Sequence, residues 1–472
     1  MSAKLGFHGA ARTVTGSRYL LTLGPEGKEQ RIGIDAGLFQ GYKKLRELNW
    51  RDPPYEPWTV DQILLTHTHI DHAGFLPRLV KRGFKGPIYC TRSTLELARL
   101  LLPDSAKIQE EHARYANKKK YSRHAPALPL YSVDDAKETL KQFETVSFNE
   151  WLDLGRARAR FHGAGHILGS ASIEIEFESK GANRTLLMSG DIGRYDMPLH
   201  LDPEPREPSD LLVCESTYGN RDHDFERTID EQLAEPVGRA LRRGGTVLIP
   251  AFAVGRSQQI TLILRRLMAS GEIPEVPVYI DSPMAVDATK VYSRHLDEHH
   301  LDADVFEDGR TLLFPERVEL CKSVQQSKAI NNAKGPKIIV SASGMLTAGR
   351  VLHHLKRLAP DPKNLVILAG YQAPGTRGRD MLQGSPTVRV HGQDVRVRAE
   401  SMSVHGLSAH AGRSELLRWM EEAEGKPTHT FLTHGEADSA FALAQDIRRK
   451  LGWDVSVPEL DETVDLDQFF SA

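Results

Sequence analysis

The sequence predicts an α/β protein of more than one domain, and three observations carry that reading. The chain has 472 residues, more than one ordinary core accommodates. From about residue 225, apolar strands alternate with helical patterns, as they do in a parallel α/β sheet. Before that point the strands are joined by tight turns and end on histidines and acids. Hydrophobic residues make up 40% of the chain, enough for globular packing. The formal net charge of -2 gives no global attraction to a polyanion, so any nucleic-acid binding must come from a local surface. Cys90, Cys214 and Cys321 are far apart and form neither a disulfide framework nor a CxxC metal motif. A reducing compartment follows. Residues 1–7 lack a signal-peptide core, and no run is long enough to span a membrane. The expectation is a soluble cytoplasmic protein with no membrane partner.

In chain order, residues 19–23 and 31–35 read as strands around a Gly-Pro turn at 24–27. Asp35 ends the second. It either caps that strand or orients a metal-binding histidine from behind. Residues 62–65 form a short apolar run, followed by Thr66-His67-Thr68-His69-Ile70-Asp71-His72 and then a helical pattern. Three imidazoles and a carboxylate therefore occupy a strand-to-helix turn, and these groups suit zinc and similar metals. His67 and His69 point the same way from an extended chain. Asp71 and His72 sit where the chain turns and can meet a second point nearby, as in a two-metal site. A histidine-rich surface turn is the competing reading. Four ligand-type residues in six positions weigh against it.

Residues 87–90 read as a strand and 92–118 as a helix closed by Lys118-Lys119-Lys120, which reads as a solvated helix end. Residues 156–161 and 172–178 alternate as half-exposed strands around the glycine-rich loop 162–170. The glycines there let backbone approach closely. His166, at the tip, is the ligand candidate, and His162 a strand-end histidine with an ordinary hydrogen bond. Residues 185–191 form a buried strand ending in Asp191, whose two oxygens can bridge two cations. Residues 211–219 repeat the design with Glu215 at the strand end.

Beyond residue 225, strands at 246–250, 277–281, 337–341 and 365–369 are followed by helices such as 256–268 and 346–358. A crevice is expected outside the carboxyl ends of these strands. Its loops carry Arg256, the run Ser343-Gly344-Met345, and the basic stretch 370–379 with Arg377. Amides at 343–345 could hold a phosphate, and N-capping by Ser343 explains the same residues. Residues 388–397 read as a hairpin. His410 follows in a Ser-Ala-His-Ala-Gly loop, and residues 428–436 form a strand running into His434. His429, inside that strand, reads as structural.

Together, His67-Thr68-His69-Ile70-Asp71-His72, His166, Asp191, Glu215, His410 and His434 resemble the β-CASP branch of the metallo-β-lactamase fold, in the family's order and over nearly the whole chain. The first motif alone would indicate only the superfamily. Ser408-Ala409-His410 and His434-Gly435-Glu436, placed after a large α/β insertion, narrow it to β-CASP nucleases. A late histidine such as His434 is similar to the RNA-processing members. The resemblance implies an αββα sandwich with an inserted parallel α/β domain. Its boundaries fall at residues 1–218, 219–398 and 399–472. It implies two zinc ions, one on His67, His69 and His166, the other on Asp71, His72 and His434, with Asp191 between them. Glu215 would lie behind, and His410 near the leaving group. Gly412 departs from the acid that many relatives carry there.

The implied function is zinc-dependent hydrolysis of single-stranded RNA, giving 5′-phosphate and 3′-hydroxyl ends. In it Asp71 helps to orient the nucleophile, and protonated His410, held by Glu215, acts as general acid. RNA is expected between the two domains, with Ser343, Gly344, Met345, Arg256, Arg350 and Arg377 near its phosphates. A hydrolase of another substrate class and a non-catalytic RNA-binding subunit are the alternatives. Whether cutting is internal or from the 5′ end, and whether the chain forms a homodimer, stay open.

Overall fold

The computed structural model describes residues 2–120, 122, 124–223, 228–301, 313–370 and 372–470. Tyr371, in the basic 370–379 stretch, lies outside them. The chain forms two compact units, one from residues 1–222 and 410–472 and the other from 223–409.

The first unit is built on two seven-stranded sheets. One runs in the order Glu462–Asp465, Ala3–Phe7, Tyr19–Leu23, Gln30–Ile34, Gln62–Leu64, Ile88–Thr91, Phe143–Val146. The other runs Val455–Ser456, His429–Thr433, Leu211–Glu215, Ala182–Met188, Ala171–Ser179, Ala157–Gly163, Leu152–Asp153. Alternate residues of each strand point to opposite faces. Leu5, Leu21, Ile32 and Leu64 of the first sheet thus meet Phe161, Ile173, Val213 and Phe431 of the second in one buried core. The outer face of the first sheet is covered by helices Leu76–Lys81, Arg92–Lys119 and Val133–Thr139. Helices Arg413–Glu421 and Ala437–Lys450 cover the outer face of the second. This is the αββα layering expected from the resemblance. The 121–150 stretch, without a role in the sequence reading, supplies the short helix Val133–Thr139 and edge strand Phe143–Val146.

Each sheet has a parallel run beginning at its central strand, whose other neighbour is antiparallel. Gln30–Ile34 pairs in parallel with Gln62–Leu64, and Leu211–Glu215 with both Ala182–Met188 and His429–Thr433. Parallel strands place their carboxyl ends on one side, and the residues just beyond those ends share one edge of the sandwich. Asp35, the 66–72 turn, Asp191, Glu215 and His434 are all such residues. Two of them, Asp35 (φ 56°) and His434 (φ 46°), adopt the left-handed conformation that side chains with a Cβ seldom take.

The second unit holds a six-stranded, wholly parallel sheet in the order Val318–Leu320, Val278–Asp281, Lys337–Ser341, Thr246–Pro250, Leu365–Ala369, Glu400–Val404. Apolar clusters bury both of its faces, which is why its strands read as near-continuous apolar runs. Glu400–Val404 pairs with Leu365–Ala369, so this unit extends past the expected boundary at residue 398. The expected 346–358 helix begins at Val351 instead. Leu346 (φ 55°) and Gly349 (φ 83°) are left-handed, and a helix cannot run through them.

Candidate metal centre

The site is assembled from six separate segments of the first unit. The turn after Gln62–Leu64 brings His67, His69, Asp71 and His72. The loop between Ala157–Gly163 and Ala171–Ser179 brings His166. That loop folds tightly because Gly165 sits at φ +67°, where a Cβ would lie 2.6 Å from the Leu201 carbonyl oxygen. Asp191 follows Ala182–Met188, Glu215 ends its own strand, and His434 follows His429–Thr433. A backbone bridge from Gly193 fixes His410 beside them.

Three nitrogens meet at one point. His67 Nε2 and His166 Nε2 each lie 3.1 Å from His69 Nδ1. Asp191 Oδ2 completes the group at 3.4 Å from His67 Nε2 and 3.6 Å from His166 Nε2. Around a tetrahedral zinc with bonds near 2.0–2.1 Å, ligand atoms stand roughly 3.3 Å apart. A second group forms where His72 Nε2 lies 3.2 Å from His434 Nε2 and 3.3 Å from Asp191 Oδ1. Asp71 Oδ2 is 3.7 Å from His434 Nε2. The two oxygens of Asp191 therefore face different histidine groups. Asp191 Oδ1 is buried and accepts no hydrogen bond. Such an atom is costly unless a cation takes its lone pairs.

The far sides of the rings are also held. His67 Nδ1 donates to Thr66 Oγ1 at 3.1 Å, and that hydroxyl donates to Asp35 at 2.8 Å. His72 Nδ1 donates to Asp35 Oδ2 at 2.7 Å, while His434 Nδ1 lies 3.1 Å from Thr217 Oγ1 and 3.4 Å from Asp191 Oδ1. For His67 and His72 such a bond leaves the opposite nitrogen facing the cluster. Asp35 thus acts on two rings, and of the two readings open in the sequence the orienting one describes its position. Thr66, Thr217 and Ser17, whose Oγ is 3.4 Å from His72 Nε2, were not singled out from the sequence. Their only sequence signal is adjacency to a candidate ligand, and Ser17 lacks even that. Asp35→Asn should weaken metal binding by about 10- to 100-fold. Competition against a chromophoric chelator measures this, and unchanged affinity would show that Asp35 only caps its strand.

Burial is the first influence on His67, His69, His72, His166, Asp191 and His410. It lowers His67 and His166 well below the ordinary imidazole value and His69 to about 4, so these rings stay neutral and available as ligands. Burial would also lower His72, but Asp191 and Asp35 outweigh it and hold His72 well above its ordinary value. Burial would raise Asp191, yet His434, His72 and His410 keep it well below the carboxylate range. The carboxylates thus call for positive charge at this point, which a proton on His72 or a bound cation supplies.

His410 Nδ1 lies 3.2 Å from both oxygens of Glu215, which also accepts from the Ile192 amide at 2.8 Å. Asp191, Glu215, His410 and His434 offer atoms close enough to form a ligand group of their own, so geometry alone leaves His410 two roles, acid or ligand. His162 is bonded to Glu174 at 3.1 Å and His429 to Ser456 at 2.8 Å, both away from the cluster.

The residues expected near phosphates all belong to the second unit. Arg350 pairs with buried Asp281 at 2.8 Å and donates to the Cys321 and Lys322 carbonyls at 2.9 and 2.7 Å. Arg377 donates to the Leu346, Thr347 and Arg389 carbonyls. Both side chains are committed to their own unit, and no local pattern of residues signals that. Arg256 is buried, and Gly344 and Met345 are buried with it. Ser343 does not cap the following helix. Its Oγ accepts from the Thr347 and Ala348 amides at 3.1 and 3.3 Å, closing the turn before it.

Comparison with known proteins agrees with this architecture. Residues 19–218 match the metallo-beta-lactamase superfamily, 257–381 the Beta-Casp domain, and 394–458 the Zn-dependent metallo-hydrolase RNA specificity domain. Ribonuclease TTHA0252 of Thermus thermophilus is 36% identical over 97% of this chain and 98% of its own length. Transcription termination factor FttA of Thermococcus kodakarensis is 34% identical over 84% of this chain, which spans 61% of that factor. A crystal structure of a protein of unknown function from Enterococcus faecalis V583 shares the fold, with a TM-score of 0.52 and 12% identity over 99% of this chain and 100% of that one. No helix among the described residues is long and apolar enough to cross a membrane. The chain belongs to the β-CASP family of metal-dependent hydrolases within the metallo-β-lactamase superfamily.

Proposed function

We propose that this protein hydrolyses phosphodiester bonds of single-stranded RNA with two zinc ions, leaving 5′-phosphate and 3′-hydroxyl ends. The observation that carries the reading is Asp191, whose separate oxygens face separate imidazole groups at 3.3 to 3.6 Å. His67, His69 and His166 would hold one ion. Asp71, His72 and His434 would hold the other, with Asp191 common to both. Zinc bound there would supply a water acidic near neutral pH and positive charge facing the phosphoryl oxygens.

The chain's own groups do the rest. Asp71, at the rim and partly exposed, orients the attacking water in line with the 3′ oxygen. Protonated His410, held by Glu215, gives its proton to that departing oxygen. Buried Thr66, Asp35 and Thr217 keep the imidazoles from turning. RNA is favoured as substrate by the family and by the name of the Thermus relative. The ligand set has no gap, which speaks against a silent binding subunit. Three buried free thiols suit a reducing cytoplasm.

The test is metal removal and return. Chelated protein should lose cleavage of an unstructured RNA and regain it at two equivalents of zinc, with products that a 5′-phosphate-dependent exonuclease accepts. Products ending in 2′,3′-cyclic phosphate would refute the mechanism.

A further inference from the structure

We propose that residues 40–51 form a rigid stacking platform, beside the reaction site, that grips unpaired bases of the RNA; this rests on the RNA reading above. The segment is anchored to the histidine turn. The Ala36 amide donates to the His72 carbonyl at 2.7 Å and the Leu38 amide to the Ile70 carbonyl at 2.9 Å, on either side of Asp71. At Gly37 a Cβ would lie 1.6 Å from the Asp71 carbonyl oxygen, so the two strands of chain touch there.

A buried clamp then makes the segment double back. Asn49 Oδ1 accepts from the Phe39 amide at 2.9 Å, and its Nδ2 donates to the Phe39 carbonyl at 2.8 Å. Arg18 donates to Asn49 Oδ1 at 3.0 Å and to the Gly37 carbonyl at 2.8 Å, with its guanidinium over the Phe75 ring. Between the two ends of this clamp stands helix Lys43–Leu48, with Tyr42 before it and Trp50 just after Asn49. Three residues separate Leu38 from Tyr42, a reach of about 14 Å at most over four Cα steps. Trp50 adjoins the residue tied to Phe39. Both rings therefore sit on a segment whose two ends are tied, through Leu38 and Phe39, to the chain that bonds the histidine turn.

The helix buries none of its residues. Tyr42 is 53% exposed and Trp50 52%. Isolated exposed aromatics are ordinary. Here two of them bracket one short turn that is clamped from below. Residues 42–51 also carry Lys43, Lys44, Arg46 and Arg51 against a single carboxylate, Glu47; Lys43 pairs with Glu47 at 3.5 Å and Arg46 donates to the Gly41 carbonyl, so exposed Lys44 and Arg51 are the cations offered to phosphates. Exposed rings among cations are what single-stranded nucleic acid uses: the rings take base faces, the cations take phosphates, and no sequence is read. A duplex hides its base faces and would not fit.

The zinc-loaded enzyme tests this with unstructured RNA and a matched duplex. Tyr42→Ala and Trp50→Ala should each raise KM for the single strand by roughly 5- to 150-fold while kcat and zinc content stay near wild type. Trp50→Phe should restore most of the loss, and Lys44→Gln should lower the slope of log affinity against log salt by about 0.7. Wild-type tryptophan fluorescence should be quenched by the single strand, and less so in Trp50→Phe. Unchanged KM in an enzyme that does cut RNA would overturn the platform alone, as would a loss confined to kcat or accompanied by zinc loss. A wild-type protein that neither binds nor cuts RNA would overturn the functional reading and this occupant together.

Discussion

Asp191→Ala should abolish RNA cleavage, by about four orders of magnitude or more, and should leave the protein with fewer than two bound metals. The size of the effect follows from the position of the side chain. Asp191 is 2% exposed, and among the described residues it is the one carboxylate whose two oxygens reach into both histidine groups. Its removal would take away the carboxylate proposed to be shared by two ions and the negative charge facing five imidazoles. Without bound zinc the nucleophile reverts to ordinary water, whose pKa is higher by roughly nine units. The residue lies beyond the end of strand Ala182–Met188 and donates nothing to the sheet, so the fold should persist. Circular dichroism beside metal analysis separates loss of ions from loss of structure. Asp191→Asn keeps the shape and one acceptor oxygen, and should fall between. An alanine variant that binds two zinc ions and turns over RNA at the wild-type rate would end the two-metal account.

His410→Ala should behave differently: two zinc ions retained, with the rate lower by about 10²- to 10⁴-fold. Burial would lower the His410 ring, but Glu215 and Asp191 outweigh it and hold its pKa above the ordinary 6.5. The imidazolium is therefore favoured, and a rate that needs it falls on the alkaline side as the proton leaves. That alkaline limb should vanish in His410→Ala. In Glu215→Gln, with the main supporting charge gone, it should move to lower pH. Loss of zinc from His410→Ala would instead place the ring in the alternative ligand group with Asp191, Glu215 and His434.

Much of the site was legible because its chemistry is dense in sequence. His67, His69, Asp71 and His72 share one turn, and a strand run before it and a helical run after it announce where that turn lies. His166, Asp191, Glu215 and His434 could be found because each follows an alternating or apolar strand, and such positions are set by local periodicity. Arg350 and Arg377 show the limit of the same method. Each is a cation in a loop, and composition cannot tell a guanidinium awaiting a phosphate from one already spent on Asp281 or on carbonyls of its own unit. The start of the helix at Val351 was missed for a related reason, because left-handed backbone at Leu346 is set by the turn that Ser343 closes.

By itself, then, the sequence determined which side chains are available, which strand ends carry them, and that the second unit is a parallel sheet. Local propensity and side-chain period encode those things. The tertiary structure alone decided that His72 and His434, 362 residues apart, come within 3.2 Å. It also decided which oxygen of Asp191 faces which ring, and that hydroxyls of Thr66 and Thr217 lie against the rings of His67 and His434. The reason is physical: these distances are fixed by the burial of Leu5, Ile32, Val213 and Phe431 between two sheets, a long-range packing that no window of neighbouring residues contains.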